Sequence, residues 1–211
     1  MAPRITAARC QNLRVDDEAE WLASLRPSQI RKVQAGTTSW AEVGLIDIES
    51  GYGSVLRSAL ETFGLRISRV PVGQARHLVQ ALSEQAGQQF IILACHGDER
   101  SLVLPELAPE LERHQPFHRR LSPDNLRSFA RFNGAAVIAT GCDNGHPALA
   151  LAVLDCGASS YVAPDGAPFG YASFFAPLDL FYELTEQRSL AEAVSRLRRH
   201  DNELGMWQFY A

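Results

Sequence analysis

"QFIILACHG" (residues 89–97) places six apolar residues in a row and then a histidine and a glycine. An apolar run this short, with no polar alternation, reads as a strand buried on both faces, the kind found in parallel sheets covered by helices. A second run of the same character, "AAVIATGC" (135–142), ends on a cysteine and opens into "DNG". Two buried strands therefore finish on Cys95-His96 and on Cys142.

Working outward, "EVGLIDIE" (42–49) is a short apolar strand that ends at the glycine-rich "SGYGS". "SVLRSALETFG" (54–64) follows with helical spacing and Gly64 suited to a C-cap. "LRISRVPV" (65–72) alternates like a strand, and "ARHLVQALSEQAG" (75–87) reads as a helix. Beyond the histidine, "SLVLPEL" (101–107) reads as extended and "APELERHQPFHRR" (108–120) as a loop. "SPDNLRSFARFNG" (122–134) has Ser122 as N-cap with Pro123 at the first helical position. A helix over "PALALAVLDCG" (147–157), a strand over "SSYVAP" (159–164) and helices over 171–187 and 189–200 complete the pattern. Strands alternating with helices predict one α/β domain over 43–211, a mainly parallel sheet with helices on both faces. Residues 1–42 read as a polar extension, helical around "DEAEWLASLRPSQIRKV" (17–33) and broken by Pro27.

With 211 residues, 46% hydrophobic and 21% charged, the composition is that of a globular protein. A formal charge of −4 and a pI near 5.9 speak against nucleic acid or an anionic membrane as the main partner. Without a signal-peptide core at the N-terminus or an apolar stretch of spanning length, the expected location is the cytosol. The four cysteines (Cys10, Cys95, Cys142, Cys156) are irregularly spaced and read as reduced thiols, with Cys10 and Cys156 structural or incidental. His114, His118 and His146 read as solvated loop residues.

Ligands of open parallel sheets gather beyond the carboxyl ends of the strands, here the loops at 49–53, 95–99, 141–145 and 164–166. Strand alternation sends Cys95 and His96 to opposite faces, so one of them needs a partner elsewhere. If the two apolar strands are neighbours, Cys142 comes close to His96, giving thiol and imidazole near in space and distant in sequence. The backbone N–H groups of Gly97 and Cys142 then suit an oxyanion hole, Gly141 and Gly145 let the loop bend, and a helix from Pro147 would direct its N-terminal dipole at the thiolate. A metal set of Cys95, His96, Cys142 and His146 is set aside, because structural zinc draws close-spaced pairs such as Cys-x-x-Cys. "IESGYGS" (48–54) lacks a complete glycine-rich phosphate motif and a Walker lysine, and reads as part of the rim.

"ACHGDE", "VIATGCDNG", "ALAVLDCGASSYVAP" and "FFAPLDLFYEL", in that order, resemble the caspase-like cysteine peptidases, and among them the separase and CHAT branch. Its pattern is a strand ending in His-Gly, a strand ending in Cys-x-x-Gly, a helix and a Gly-Ala strand, matched over about residues 43–200. The resemblance implies a caspase-hemoglobinase-like three-layer sandwich and an endopeptidase with Cys142 as nucleophile and His96 as proton-transfer partner. It implies protein or peptide substrates, no metal or organic cofactor, and a regulated role in defence or cell death with a regulatory protein partner. Asp143 and Asn144 stand where CHAT domains commonly have Glu-Thr, and the caspase "QACxG" is absent. Acidic residues on the rim (Asp47, Glu49, Asp98, Glu99, Asp143, Asp165) point to a basic residue before the scissile bond, with Glu49, Asp98, Asp143 and Asp165 as substrate-binding candidates; Arg100 points the other way. Two rivals stay open. "ACHG" also resembles the nucleophile elbow of the DJ-1/PfpI and class I amidotransferase-like hydrolases, with Cys95 as nucleophile, although an elbow runs straight into a helix and "GDERSLVLPELAP" is turn and strand material. The other rival is a non-catalytic caspase-like scaffold.

Overall fold

The computed structural model describes residues 41–84, 87–98 and 100–211, so the helix expected in the N-terminal extension and Glu99 lie outside the described residues. In chain order the elements are β1 (Glu42–Asp47), α1 (Gly53–Glu61), β2 (Arg66–Pro71), α2 (Ala75–Glu84), β3 (Phe90–Ala94), β4 (His96–Asp98), β5 (Ser101–Val103), α3 (Pro109–Glu112), β6 (Arg120–Leu121), α4 (Pro123–Phe129), β7 (Ala136–Ala139), α5 (Pro147–Asp155), β8 (Ser160–Pro164), α6 (Gly170–Thr185), α7 (Leu190–Leu197) and β9 (Trp207–Tyr210).

Six strands form the central sheet in the order β2-β1-β3-β7-β8-β9, all parallel except β9, which runs antiparallel along the edge of β8. The period of two along each strand divides the core into two layers. Ile46, Ile91, Leu93, Val137 and Tyr161 face one side with Leu78 and Leu82 of α2, Leu126 of α4 and Leu149 and Val153 of α5. Val43, Leu45, Ile92, Ile138 and Val162 face the other with Leu56 and Leu60 of α1, Leu180 and Phe181 of α6 and Leu197 of α7. Each such buried aliphatic side chain contributes about 1.5–3 kcal/mol over its exposed state, which is why the sheet needs a helical layer on both faces. The α/β reading with a mostly parallel sheet and flanking helices is what the structure shows.

Local signals act where expected. Ser122 caps α4, its Oγ accepting from the Asn125 N–H while the Asn125 side chain accepts from the Ser122 N–H, with Pro123 in the first turn. Three features depart from the expectations. The stretch at 108–120 is not all loop: it contains the one-turn helix α3 and its last residue begins β6. A separate three-stranded antiparallel sheet, β4-β5-β6, grows out of the end of β3. The edge strand β9 is also new, and only its docking along β8 makes four residues extended.

Candidate active site

Leu93 is the register partner of Ala139 in the β3–β7 pair. The pairing ends there, and beyond it the two segments stay close at the carboxyl edge of the sheet: a Cβ on Gly141 would lie 2.7 Å from the His96 carbonyl carbon, and one on Gly97 would overlap the Cys142 carbonyl oxygen. Cys95 belongs with Leu93 in the α2–α4–α5 layer, whereas His96, the first residue of β4, has left the central sheet. His96 is exposed and Cys142 half-buried.

Cys95 is 4% exposed, its thiol donates to Asn144 Oδ1 at 3.3 Å, and burial pushes that thiol up to about 12. Its backbone N–H donates to Thr140 Oγ1 at 3.2 Å. After Cys95 the chain enters the β4–β5 hairpin rather than a helix. This is the wrong geometry for an elbow, which has to expose its nucleophile on a strand-to-helix turn.

The hairpin aims Gly97. Leu104 donates its N–H to the Arg119 carbonyl at 2.7 Å, which makes Leu102, two residues back, a residue whose N–H and C=O face β6. Gly97 sits opposite Leu102 in the β4–β5 ladder, so that pair is the non-hydrogen-bonded kind and the Gly97 N–H turns away from β5. It turns toward the cysteine loop, for a Cβ placed on Gly141 would lie 2.8 Å from the Gly97 nitrogen.

The loop after β7 is held from several sides. The Asp143 N–H donates to the Gly166 carbonyl and the Gly145 N–H to the Pro164 carbonyl, both at 2.7 Å. Tyr161 Oη donates to the Asn144 carbonyl at 2.9 Å, and Tyr210 Oη donates to the Gly145 carbonyl. Gly145 is required for this closeness, since a Cβ there would sit 2.6 Å from the Ala163 carbonyl oxygen. Below the loop, Thr140 Oγ1 pairs with Tyr52 Oη at 2.7 Å, and Ser173 Oγ of α6 donates to the Thr140 carbonyl at 3.0 Å.

Burial, and then the neighbouring Asp143 carboxylate, raise the Cys142 thiol above its ordinary value, so it rests protonated. His146, expected as a solvated loop residue, is the N-cap of α5: its Nδ1 accepts from the Ala148 N–H at 3.1 Å. Residues 143–146 therefore separate the thiol from a helix end that is already capped, and the dipole acts only near the first turn. The metal candidates do not converge either, with Cys95 turned into the core and His146 capping a helix. Among the described residues no group of three or more His, Cys, Asp or Glu side chains is arranged to hold a metal ion.

The acidic rim divides by use. Asp47 is buried and paired with Arg69 at 2.6 Å; burial alone would raise its carboxyl, but the Ser50 hydroxyl and Arg69 outweigh that and hold it below the usual range. Asp98 is committed to Arg120 at 2.8 Å and to the Ser101 hydroxyl at 2.9 Å. Glu49 opens on a cavity of about 390 Å³ lined also by Asp47, Arg69, Val72, Pro105 and Glu106. Asp143 and Asp165 lie in adjoining loops joined by the Asp143–Gly166 hydrogen bond, with Asp165 exposed and Asp143 half-buried. Reading the sequence did not pick out Tyr52, Thr140, Asn144 or His146 as working parts; their value comes from partners far along the chain, except the His146 cap, whose signal is the following Pro147.

No protein-family model matches the sequence, and neither does any curated protein. Among solved structures it overlaps a signal receiver domain from Vibrio parahaemolyticus at 17% identity, covering 76% of this chain and 98% of that one with a TM-score of 0.35. A response regulator from Burkholderia pseudomallei with a phosphorylated aspartic acid, calcium ion and citrate is 15% identical over 77% of this chain and 86% of its own, TM-score 0.33. The signal receiver domain of a histidine kinase from Syntrophus aciditrophicus gives 18%, 76%, 95% and 0.32 in the same order. Scores this low carry no functional assignment. No described helix is long and apolar enough to cross a membrane.

Proposed function

We propose that this chain is a caspase-like cysteine endopeptidase of the CHAT-like kind. One observation carries the reading: beyond the carboxyl ends of the paired strands β3 and β7 the His96–Gly97 backbone packs against the Cys142 loop, so closely that a Cβ on Gly97 would overlap the Cys142 carbonyl oxygen. Because the Cys142 thiol is raised, its proton needs an acceptor during attack, and we assign that role to the His96 imidazole on the adjoining strand exit. The Cys142 sulfur bonds to the peptide carbonyl carbon, and the developing oxyanion accepts from the backbone N–H groups of Gly97 and Cys142. The C–N bond then breaks, His96 returns its proton to the leaving amine, and water hydrolyses the thioester to release the acid and restore the thiol. Asp143 and Asp165, on adjoining loops beside the nucleophile, support a basic residue before the scissile bond; Asp98, already paired with Arg120, does not add to that charge.

The test is cleavage of a peptide library together with labelling by a thiol-reactive peptide probe. Cys142→Ala and His96→Ala are each expected to abolish turnover, while Cys95→Ala keeps it, with a stability loss of about 1–2 kcal/mol because Asn144 Oδ1 loses its donor. Turnover lost only in Cys95→Ala, or a wild type that turns over nothing and is unlabelled at Cys142, sinks the proposal.

A further inference from the structure

We infer that Asn144 is a positioning residue that locks the Cys142 loop to the His96–Gly97 hairpin. The inference rests on the peptidase reading of this site and adds to it the part that holds nucleophile, imidazole and oxyanion donors in one arrangement.

Asn144 is fully buried, and every polar group of its side chain is engaged. Oδ1 accepts the Cys95 thiol at 3.3 Å, and Nδ2 donates to the Ser101 carbonyl at 3.2 Å and to the Cys142 carbonyl at 3.3 Å. One side chain thus bonds the exit of β3, the first residue of β5 and the nucleophile's own peptide unit. Its main chain is anchored as well, the N–H donating to the Gly141 carbonyl at 3.2 Å and the carbonyl accepting from Tyr161 Oη.

The glycines around it share its shape. A side chain on Gly97 would overlap the Asn144 amide and the Cys142 carbonyl oxygen, and a Cβ on Gly141 would come 2.5 Å from Asn144 Oδ1. Two of the glycines beside the dyad therefore leave the volume that the amide fills. Gly97 carries one oxyanion donor and Cys142 the other, so the amide fixes the separation of both donors as well as that of the dyad. The chemistry needs an acceptor and two donors on one planar group of this length. Leucine has the volume without the hydrogen bonds. Aspartate offers only acceptors where Ser101 and Cys142 present carbonyl oxygens.

The experiment uses the full chain with Asn144→Ala and Asn144→Asp, reading peptide turnover and amide hydrogen exchange. Asn144→Ala is expected to lower kcat about 100-fold while KM stays within about threefold, because misplacing the reacting groups hurts the transition state more than binding. Exchange is expected to rise about tenfold in both 95–98 and 141–146, with β1 and α7 unchanged. Asn144→Asp is expected to match the alanine variant near pH 8 and to recover part of its kcat near about pH 5, where a carboxyl raised by burial is protonated and donates again. Should the alanine variant fail to fold, the aspartate variant carries the comparison across that pH range. Unchanged kcat and exchange in Asn144→Ala, or faster exchange in 141–146 alone, overturns the inference. If the wild type cleaves no peptide and its Cys142 is unlabelled, the peptidase reading falls, and exchange in the two loops by itself decides whether Asn144 joins them.

Discussion

β3 and β7 lie side by side in the sheet and leave it in different ways. The first passes Cys95 into the core and turns into an antiparallel hairpin, which fixes the direction of the Gly97 N–H through its ladder. The second makes a tight turn with Cys142 half-exposed, Asp143 in a left-handed conformation (φ 55°), and a capped helix four residues beyond Asp143. Each exit carries a cysteine. At the first exit the thiol is sealed and bonded to an amide; at the second it is half-buried, on a loop packed against the His96–Gly97 backbone. Reactivity here follows from what happens to the strand's next few residues, since the strands themselves are alike.

The largest expected contrast is therefore between the two thiols. At pH 8 a thiol of pKa about 12 is ionised to about one part in 10,000, and Cys95 is buried besides, so iodoacetamide is expected to alkylate Cys142 at least about 100 times faster in the native protein. The Cys142 rate is expected to climb with pH toward its raised pKa, because only the thiolate reacts. Site-resolved mass spectrometry reads both rates, and comparable labelling of Cys95 breaks the contrast. A smaller effect tests the contact between the exits. Gly97→Ala is expected to cost about 2–3 kcal/mol in urea unfolding, as its new methyl meets backbone that has nowhere to move. Gly73→Ala, with open space around it, is expected to be neutral or slightly stabilising by about 0.5 kcal/mol. Equal costs at the two glycines dissolve the claim of close fit. Smallest is the cap of the second exit: His146→Ala is expected to remove about 0.5–1 kcal/mol through the lost bond to the Ala148 N–H, measured by the same unfolding curves.

Much of this architecture is legible in residue order. The apolar runs at 90–95 and 135–139, the Ser122-Pro123 cap and the helical spacing of α1, α2 and α5 are local signals, and local physics acts on them directly. Strand alternation predicts opposed faces for Cys95 and His96; the structure buries Cys95 and exposes His96 by ending β3 at Ala94 and starting a second sheet at His96. The β4-β5-β6 sheet was hidden because strands of two or three residues carry no period to read. β9 was hidden because "WQFY" is extended by virtue of pairing with β8. The rim carboxylates look equivalent in the sequence, yet Arg69 and Arg120, 22 positions from each of their partners, take up Asp47 and Asp98.

By itself, then, the sequence determined the alternation of strands and helices, the two-layered core and the placing of His96 and Cys142 a few residues beyond two buried strands, which end at Ala94 and Ala139, because these depend on periods of two and 3.6 and on residues close in the chain. Tertiary structure alone decided the β3–β7 pairing, the turn of the Gly97 N–H, the sealing of Cys95, the capping use of His146 and the convergence of Ser101, Cys142 and Cys95 on Asn144. Apart from the His146 cap, the β4–β5 ladder that turns Gly97 and the Asn144–Cys142 bond, these are contacts between segments some 45 residues apart, and their strength comes from the burial that only the closed fold provides.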